Sequence, residues 1–213
     1  MFTTRFNLQS GLRWAALLGL LVAGAGCQGR PGPQPAAEYV KSVEDGRKNK
    51  DKMFREDSSS PVPPAARAQF TGLSYYSVDI NYRAERTAKR YAKEETVEML
   101  TSQGTLKTYT RYAYIDVIIG GQPARLTIYS LNKDGKIHYF LPFKDATNGS
   151  ETYPAGRYLE VEIEKDWRTV VDFNQAYNPY CAYNHDYACP IPPPENHLKI
   201  PIKAGERYVE PKS

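Results

Sequence analysis

Between Ser74 and Phe173 apolar and polar positions alternate in short runs, each closed by a turn signal. SYYSVDINYR (74–83) has period two and ends in a polar turn, and Thr96 to Leu100 repeats the pattern. LKTYTRYAYIDVII (106–119) is rich in β-branched and aromatic side chains, and Gly120-Gly121 closes it into a hairpin with ARLTIYSL. The tetrad Asn132-Lys133-Asp134-Gly135 is a second turn, leading into KIHYFLPF (136–143). RYLEVEIE and TVVDF predict two more strands around Lys165-Asp166, and LKIPIKAGE (198–206) predicts a last one. Ahead of them, residues 38–57 space Tyr39, Val40, Val43, Met53 and Phe54 as a helix held at its two ends, and SSSPVPP breaks it. A short turn or helix is expected over Ala65 to Phe70. The pattern predicts a mainly β domain, an antiparallel β-barrel or sandwich-like fold with an N-terminal helix, and no βαβ units.

The first 26 residues read differently. They hold Arg5, Arg13 and no acid, then an apolar run from Trp14 to about Ala25, shorter than the roughly 20 residues that span a bilayer. The exit, Val22-Ala23-Gly24-Ala25-Gly26-Cys27, resembles the lipobox of bacterial lipoproteins, with Gly24 where that motif has an aliphatic residue. The resemblance implies acylation at Cys27 and a signal peptide over residues 1–26. Gln28 after the cysteine implies the outer membrane, facing the periplasm, in a two-membrane cell. Residues 27–37, rich in Gly and Pro, make a tether, and 38–213 make one globular domain with room for a real core.

Charge narrows the partners. The whole chain carries +4; Arg5 and Arg13 lie in the signal, which leaves +2 on the remainder, too little to argue for nucleic acid. No nucleotide-binding, zinc-protease or serine-elbow motif is present, and no cofactor or metal is expected. Tyrosine is abundant, 17 against 7 Phe, which suits half-buried strands and polar binding surfaces alike.

Two stretches are too rich in special residues to be plain connections: Pro142 to Glu160 and Asp172 to His197. The second contains CAYNHDYACP, two cysteines eight apart. In an exported chain the expected pairing is a disulfide between Cys181 and Cys189, worth about 2.5 kcal/mol in the chain-entropy model. A metal site and a Cys–His nucleophile with His185 are the alternatives.

These stretches resemble the bacterial family catalogued as domain of unknown function 1684. The residues are Phe70-Thr71-Gly72-Leu73-Ser74-Tyr75-Tyr76, Pro142 to Thr147, Glu151-Thr152-Tyr153, Gly156-Arg157-Tyr158-Leu159 and Asp172-Phe173-Asn174. Ala176-Tyr177-Asn178-Pro179, Cys181 to Asn184, Cys189-Pro190 and Pro192 through Asn196 continue the match. It covers about residues 40–208 and implies no activity.

For function, the residues leave three readings. A binding module would line a pocket for a small polar ligand, glycan or anion with Asp145, Thr147, Glu151, Tyr153, Arg157, Asp172, Asn174, Asn178, Tyr183, Glu195 and Asn196. A carboxylate- or metal-dependent hydrolase would use Asp145, Glu151, His185, Asp186 or Glu195 beside Arg157. In a structural or interaction protein Arg157 pairs with an acid and the asparagines hold turns. Convergence of these side chains on one concave surface separates the first two readings from the third.

Overall fold

The computed structural model describes residues 36–209. The lipobox cysteine Cys27, the signal and most of the tether lie outside the described residues. The helix α1 runs from Ala36 to Glu56, a four-residue turn of helix α2 from Pro64 to Arg67. Seven strands follow: β1 Arg83–Thr87, β2 Lys89–Leu100, β3 Leu106–Ile119, β4 Gln122–Lys133, β5 Lys136–Phe143, β6 Arg157–Val161 and β7 Arg168–Asp172. All pair antiparallel, five in the order β2-β3-β4-β5-β6 and two as β1-β7. The domain is mainly β and sandwich-like, with no closed barrel among the described residues and with the expected N-terminal helix.

The hairpins follow from their turns. Asp134 and Gly135 both take positive φ, 53° and 75°, the left-handed pair that a two-residue hairpin needs, and Lys133 faces Lys136 across it. Alternation puts Ala113, Ile115, Val117 and Ile119 of β3 against Leu126 and Ile128 of β4, Leu141 and Phe143 of β5, and Val171 and Phe173. A second cluster of Met99, Tyr109, Tyr129, Phe140, Tyr158, Cys181 and Cys189 sits under the long loop that follows β7.

Two predicted strands do not form. SYYSVDINYR makes one bridge, Tyr75 to Glu206, and then a 3-10 turn over Ile80–Tyr82, because the Asp79 carboxylate accepts the Asn81 amide and caps it. LKIPIKAGE also stays irregular, although Ile202 and Ala204 are fully buried. Its carbonyls are taken by a side chain: Arg157 donates to the oxygens of Ile202, Ala204 and Glu206. RYLEVEIE forms as the shorter β6, and the turn after it, closed by Glu164 N–H to Arg168 O at 2.9 Å, delivers β7 to the other sheet.

Helix α1 docks by its ends, as its spacing predicts. At one end Tyr39 Oη donates to both Asp172 oxygens at 2.8 and 2.9 Å. At the other Phe54, fully buried, meets the edge of Tyr183 with ring centres 5.1 Å apart. Between them Arg47 donates to the carbonyls of Tyr76 and Asn174 at 2.9 and 3.3 Å, and Lys50 pairs with Glu206.

Candidate functional site

Arg157 opens β6 at the end of a loop that glycine makes passable. Gly156 holds φ +107°, and a Cβ there would stand 2.7 Å from Phe143 O and from Pro192 Cγ. The Arg157 side chain is completely buried. Its Nη2 reaches Asp145 Oδ2 at 2.9 Å and Ile202 O at 2.8 Å, and its Nη1 reaches Ala204 O at 2.5 Å and Glu206 O at 3.0 Å. Asp145 is also closed off: Oδ1 accepts the Thr147 amide and hydroxyl at 2.9 and 2.6 Å and the Ile202 amide at 3.1 Å. Three carbonyls and one carboxylate thus surround a planar fork of donors, which is what a buried guanidinium requires. Only Nε lacks a partner, and it is buried, so the residue is a strut between β6 and the C-terminal segment.

The other residues of the expected pocket are engaged in the same way. Glu151 pairs with Lys203 at 3.3 Å and accepts from Tyr76 Oη at 3.1 Å. Asp172 holds Tyr39. Asn174, 2 % exposed, accepts the Asp79 amide at 3.0 Å and donates to the Asp79 carbonyl at 2.8 Å, so it clips the 3-10 turn. Asn196 is fully buried; its Oδ1 accepts the Thr127 amide at 2.7 Å and its Nδ2 donates to the carbonyls of Thr127 and Pro142 at 2.8 and 2.7 Å. Glu195 takes Arg111 at 2.5 Å and the Tyr129 hydroxyl at 2.7 Å. Asn178 donates to Tyr183 Oη at 3.2 Å and Arg207 O at 3.0 Å. Tyr183 in turn donates to Glu206 at 3.0 Å.

Each of the eleven residues closes an internal contact, some with one another, as Asp145 does with Thr147 and Arg157, and none of them lines the groove described below. Of the carboxylates suggested for hydrolysis, Asp145 meets Arg157, Glu151 meets Lys203 and Tyr76, and Glu195 meets Arg111 and Tyr129, while Asp186 is exposed on the loop. His185 is exposed and is held through its carbonyl by Gln103 Nε2 at 3.0 Å. Among the described residues no three His, Cys, Asp or Glu gather closely enough to hold a metal ion.

Glu206 is the carboxylate that the pattern of the chain did not announce. It is 1 % exposed and accepts from Lys50, from the Asn178 amide at 2.8 Å and from Tyr183. It joins helix α1, the loop after β7 and the C-terminal segment. Its only sequence signal is an acid at the end of a run otherwise read as a strand.

A concave surface does exist, and it lies beside that hub. A groove of about 430 Å³ is bounded by Lys50 of α1, Lys107 of β3, Tyr158 of β6, and Tyr177, Pro179, Tyr180, Tyr187, Ala188, Cys189 and Pro190 of the long loop. Tyr180 meets Tyr187 edge to face at 5.3 Å, and Tyr158 meets Tyr177 at 5.8 Å and 90°. Burial holds the phenols of Tyr158 and Tyr177 protonated well above their ordinary range, with Glu160 adding to the effect at Tyr177. Lys107 donates to Ala188 O at 2.6 Å. An ammonium has three donors, so two remain for something else. Lys50 stands 4.9 Å from the Tyr177 ring centre while it pairs with Glu206.

One wall of the groove carries the two cysteines. They are free thiols in the structure, not the expected disulfide, yet they touch. The Cys181 amide donates to Cys189 Sγ at 3.2 Å, and Tyr153 Oη lies 3.8 Å from Cys181 Sγ. A hydrogen bond from the Cys189 thiol pulls Cys181 down from 9.0 to about 6, against burial and with help from the hydroxyls of Ser102 and Tyr153. The same bond, followed by burial, pushes Cys189 up.

The family model described as protein of unknown function (DUF1684) matches residues 68–207. Among solved structures, the chain is similar to the uncharacterized protein from gene locus rrnAC0354 of Haloarcula marismortui, determined in solution by NMR. Identity is 34% over 80% of this chain and 95% of that one, with a TM-score of 0.63. No curated protein matches.

Proposed function

The chain belongs to the DUF1684 family, whose description assigns no activity, and from the groove we propose that it is a binding module for a small ligand with a flat apolar face and an anionic group, such as an acidic sugar. The observation that carries this reading is the pairing of four tyrosines with Lys107, whose ammonium is only partly used. Tyrosine faces stack on rings and on the apolar faces of sugars at little entropic cost. A lysine on the rim supplies a point charge for a carboxylate or phosphate without demanding one geometry.

Calorimetry tests this directly. N-acetylmuramic acid, which carries a carboxylate, is expected to bind at least about tenfold more tightly than neutral N-acetylglucosamine, a difference of about 1.4 kcal/mol. Lys107→Ala should erase most of that preference, and Tyr180→Ala should weaken both sugars. Equal affinity for the two sugars would refute the anionic half of the reading.

We further propose that the protein is held at the cell envelope by acylation of Cys27, with the outer membrane as its address and the periplasm as its compartment. Support comes from the basic start, the short apolar run and the Ala25-Gly26-Cys27 exit. Globomycin, or Cys27→Ser, is expected to block maturation and change membrane partition. Unchanged processing would sink the anchor.

A further inference from the structure

We propose that Cys181 and Cys189 form a reversible dithiol site that exchanges with small disulfides entering the groove and so sets the shape of the groove wall. The inference builds on the groove described above as a binding site, and adds its regulation.

The geometry begins with the loop. Cys181 lies in a 3-10 turn, Tyr180–Ala182, that follows Pro179, and Cys189 is tied to the β2–β3 turn. Ser102 receives the Cys189 amide on its hydroxyl at 3.1 Å and gives its own amide to the Cys189 carbonyl at 2.9 Å. Two anchored ends thus bring both sulfurs together inside the aromatic cluster. Of the pair, Cys189 is the sulfur on the groove and is 9% exposed, whereas Cys181 is 2% exposed. The groups facing the pair are the amide of Cys181 and the hydroxyls of Tyr153 and Ser102, all able to donate to a sulfur anion, with Lys107 near Cys189. A buried pair with shared donors and one open face is suited to exchange, since the thiolate is the attacking form.

The reaction balances without a metal. An external dialkyl disulfide is the oxidant. The Cys189 thiol, passing its proton to the Cys181 thiolate that it hydrogen-bonds, attacks one of its sulfurs, and the first thiolate departs. That thiolate takes the proton from Cys181. The Cys181 thiolate then attacks Cys189 Sγ, the mixed disulfide breaks, and the second thiolate leaves and is protonated by water. Two protein sulfurs lose two electrons, and one disulfide becomes two thiols.

Closure acts on the groove because Tyr180 and Ala188, immediate neighbours of the two cysteines, line it together with Tyr187 and Pro190. The experiment equilibrates the full chain, as Cys27→Ser in detergent, with oxidised and reduced glutathione, then alkylates and weighs it. The doubly alkylated chain should give way to one that takes no alkyl group. Cys181→Ser should stop at a glutathione adduct on Cys189. Hydrogen exchange of residues 177–190 should slow in the oxidised chain, and N-acetylmuramic acid affinity should change about fivefold or more. Two alkylated thiols at full oxidised glutathione, or identical exchange in both states, would overturn the proposal. Loss of sugar binding in both states, with the mass and exchange changes intact, would count against the ligand reading alone.

Discussion

Arg157→Met should lower stability by about 4 kcal/mol, because removing one partner of a buried ion pair strands the other. Asp145 keeps three donors from Thr147 and Ile202 on Oδ1, but its buried Oδ2 loses the donor that Arg157 supplied. The carbonyls of Ile202, Ala204 and Glu206 lose the donors that Arg157 supplied. Methionine fills much of the volume, so the loss reports hydrogen bonding and charge more than a cavity. For a domain of this size the same change moves Tm down by roughly 8–16 °C. Arg157→Lys keeps the charge but offers no planar fork, and it should fall between the two. Urea unfolding followed by circular dichroism checks the order. A loss below about 1 kcal/mol for Arg157→Met would contradict the strut. Because the residue is walled off from solvent, sugar affinity per folded molecule should not change in Arg157→Lys.

Asn196→Ala should cost about 3 kcal/mol, for a reason found in the sheet. Strands β4 and β5 pair from Lys133–Lys136 back to Tyr129–Phe140 and no further. Beyond that point Thr127 and Pro142 face a gap, and the Asn196 amide fills it with one accepted and two donated hydrogen bonds. Alanine leaves three buried backbone groups unpaired, each worth about 1–3 kcal/mol before water enters. Asn196→Asp is the sharper variant. It keeps the size but sets an oxygen against two carbonyls, and it should be at least as damaging at neutral pH. An aspartate tolerated better than alanine would show that packing, and not hydrogen bonding, sets the cost at this position.

These two residues show what the sequence conveyed and what it withheld. The hairpins β3–β4–β5 were legible because period-two alternation and the Gly120-Gly121 and Asp134-Gly135 turns are local signals. LKIPIKAGE alternates as well as they do, but a guanidinium replaces the neighbouring strand, and no local pattern records that. Asn196 belonged to a segment that read as special, correctly, but its partners lie 54 and 69 residues away. The same distance problem hid the groove. Its tyrosines, Tyr177, Tyr180 and Tyr187, fall in the stretch 172–197 singled out from composition. Lys50 looked like one more solvated helix charge and Lys107 like one more strand lysine. Buried acids and asparagines were the conspicuous candidates, and their partners are other parts of the chain, as Arg157 is for Asp145 and Pro142 for Asn196.

The central claim, that ligands meet the protein in the tyrosine–lysine groove and not at the Arg157 cluster, is tested most directly by NMR. The nitrogen-15-labelled chain would be titrated with N-acetylmuramic acid. The account predicts saturable shifts at the amides of Lys50, Lys107, Tyr158 and residues 177–190, with those of Asp145, Thr147 and Ile202 unmoved. Saturable shifts centred on Asp145, Thr147 and Ile202, with residues 177–190 silent, would contradict it.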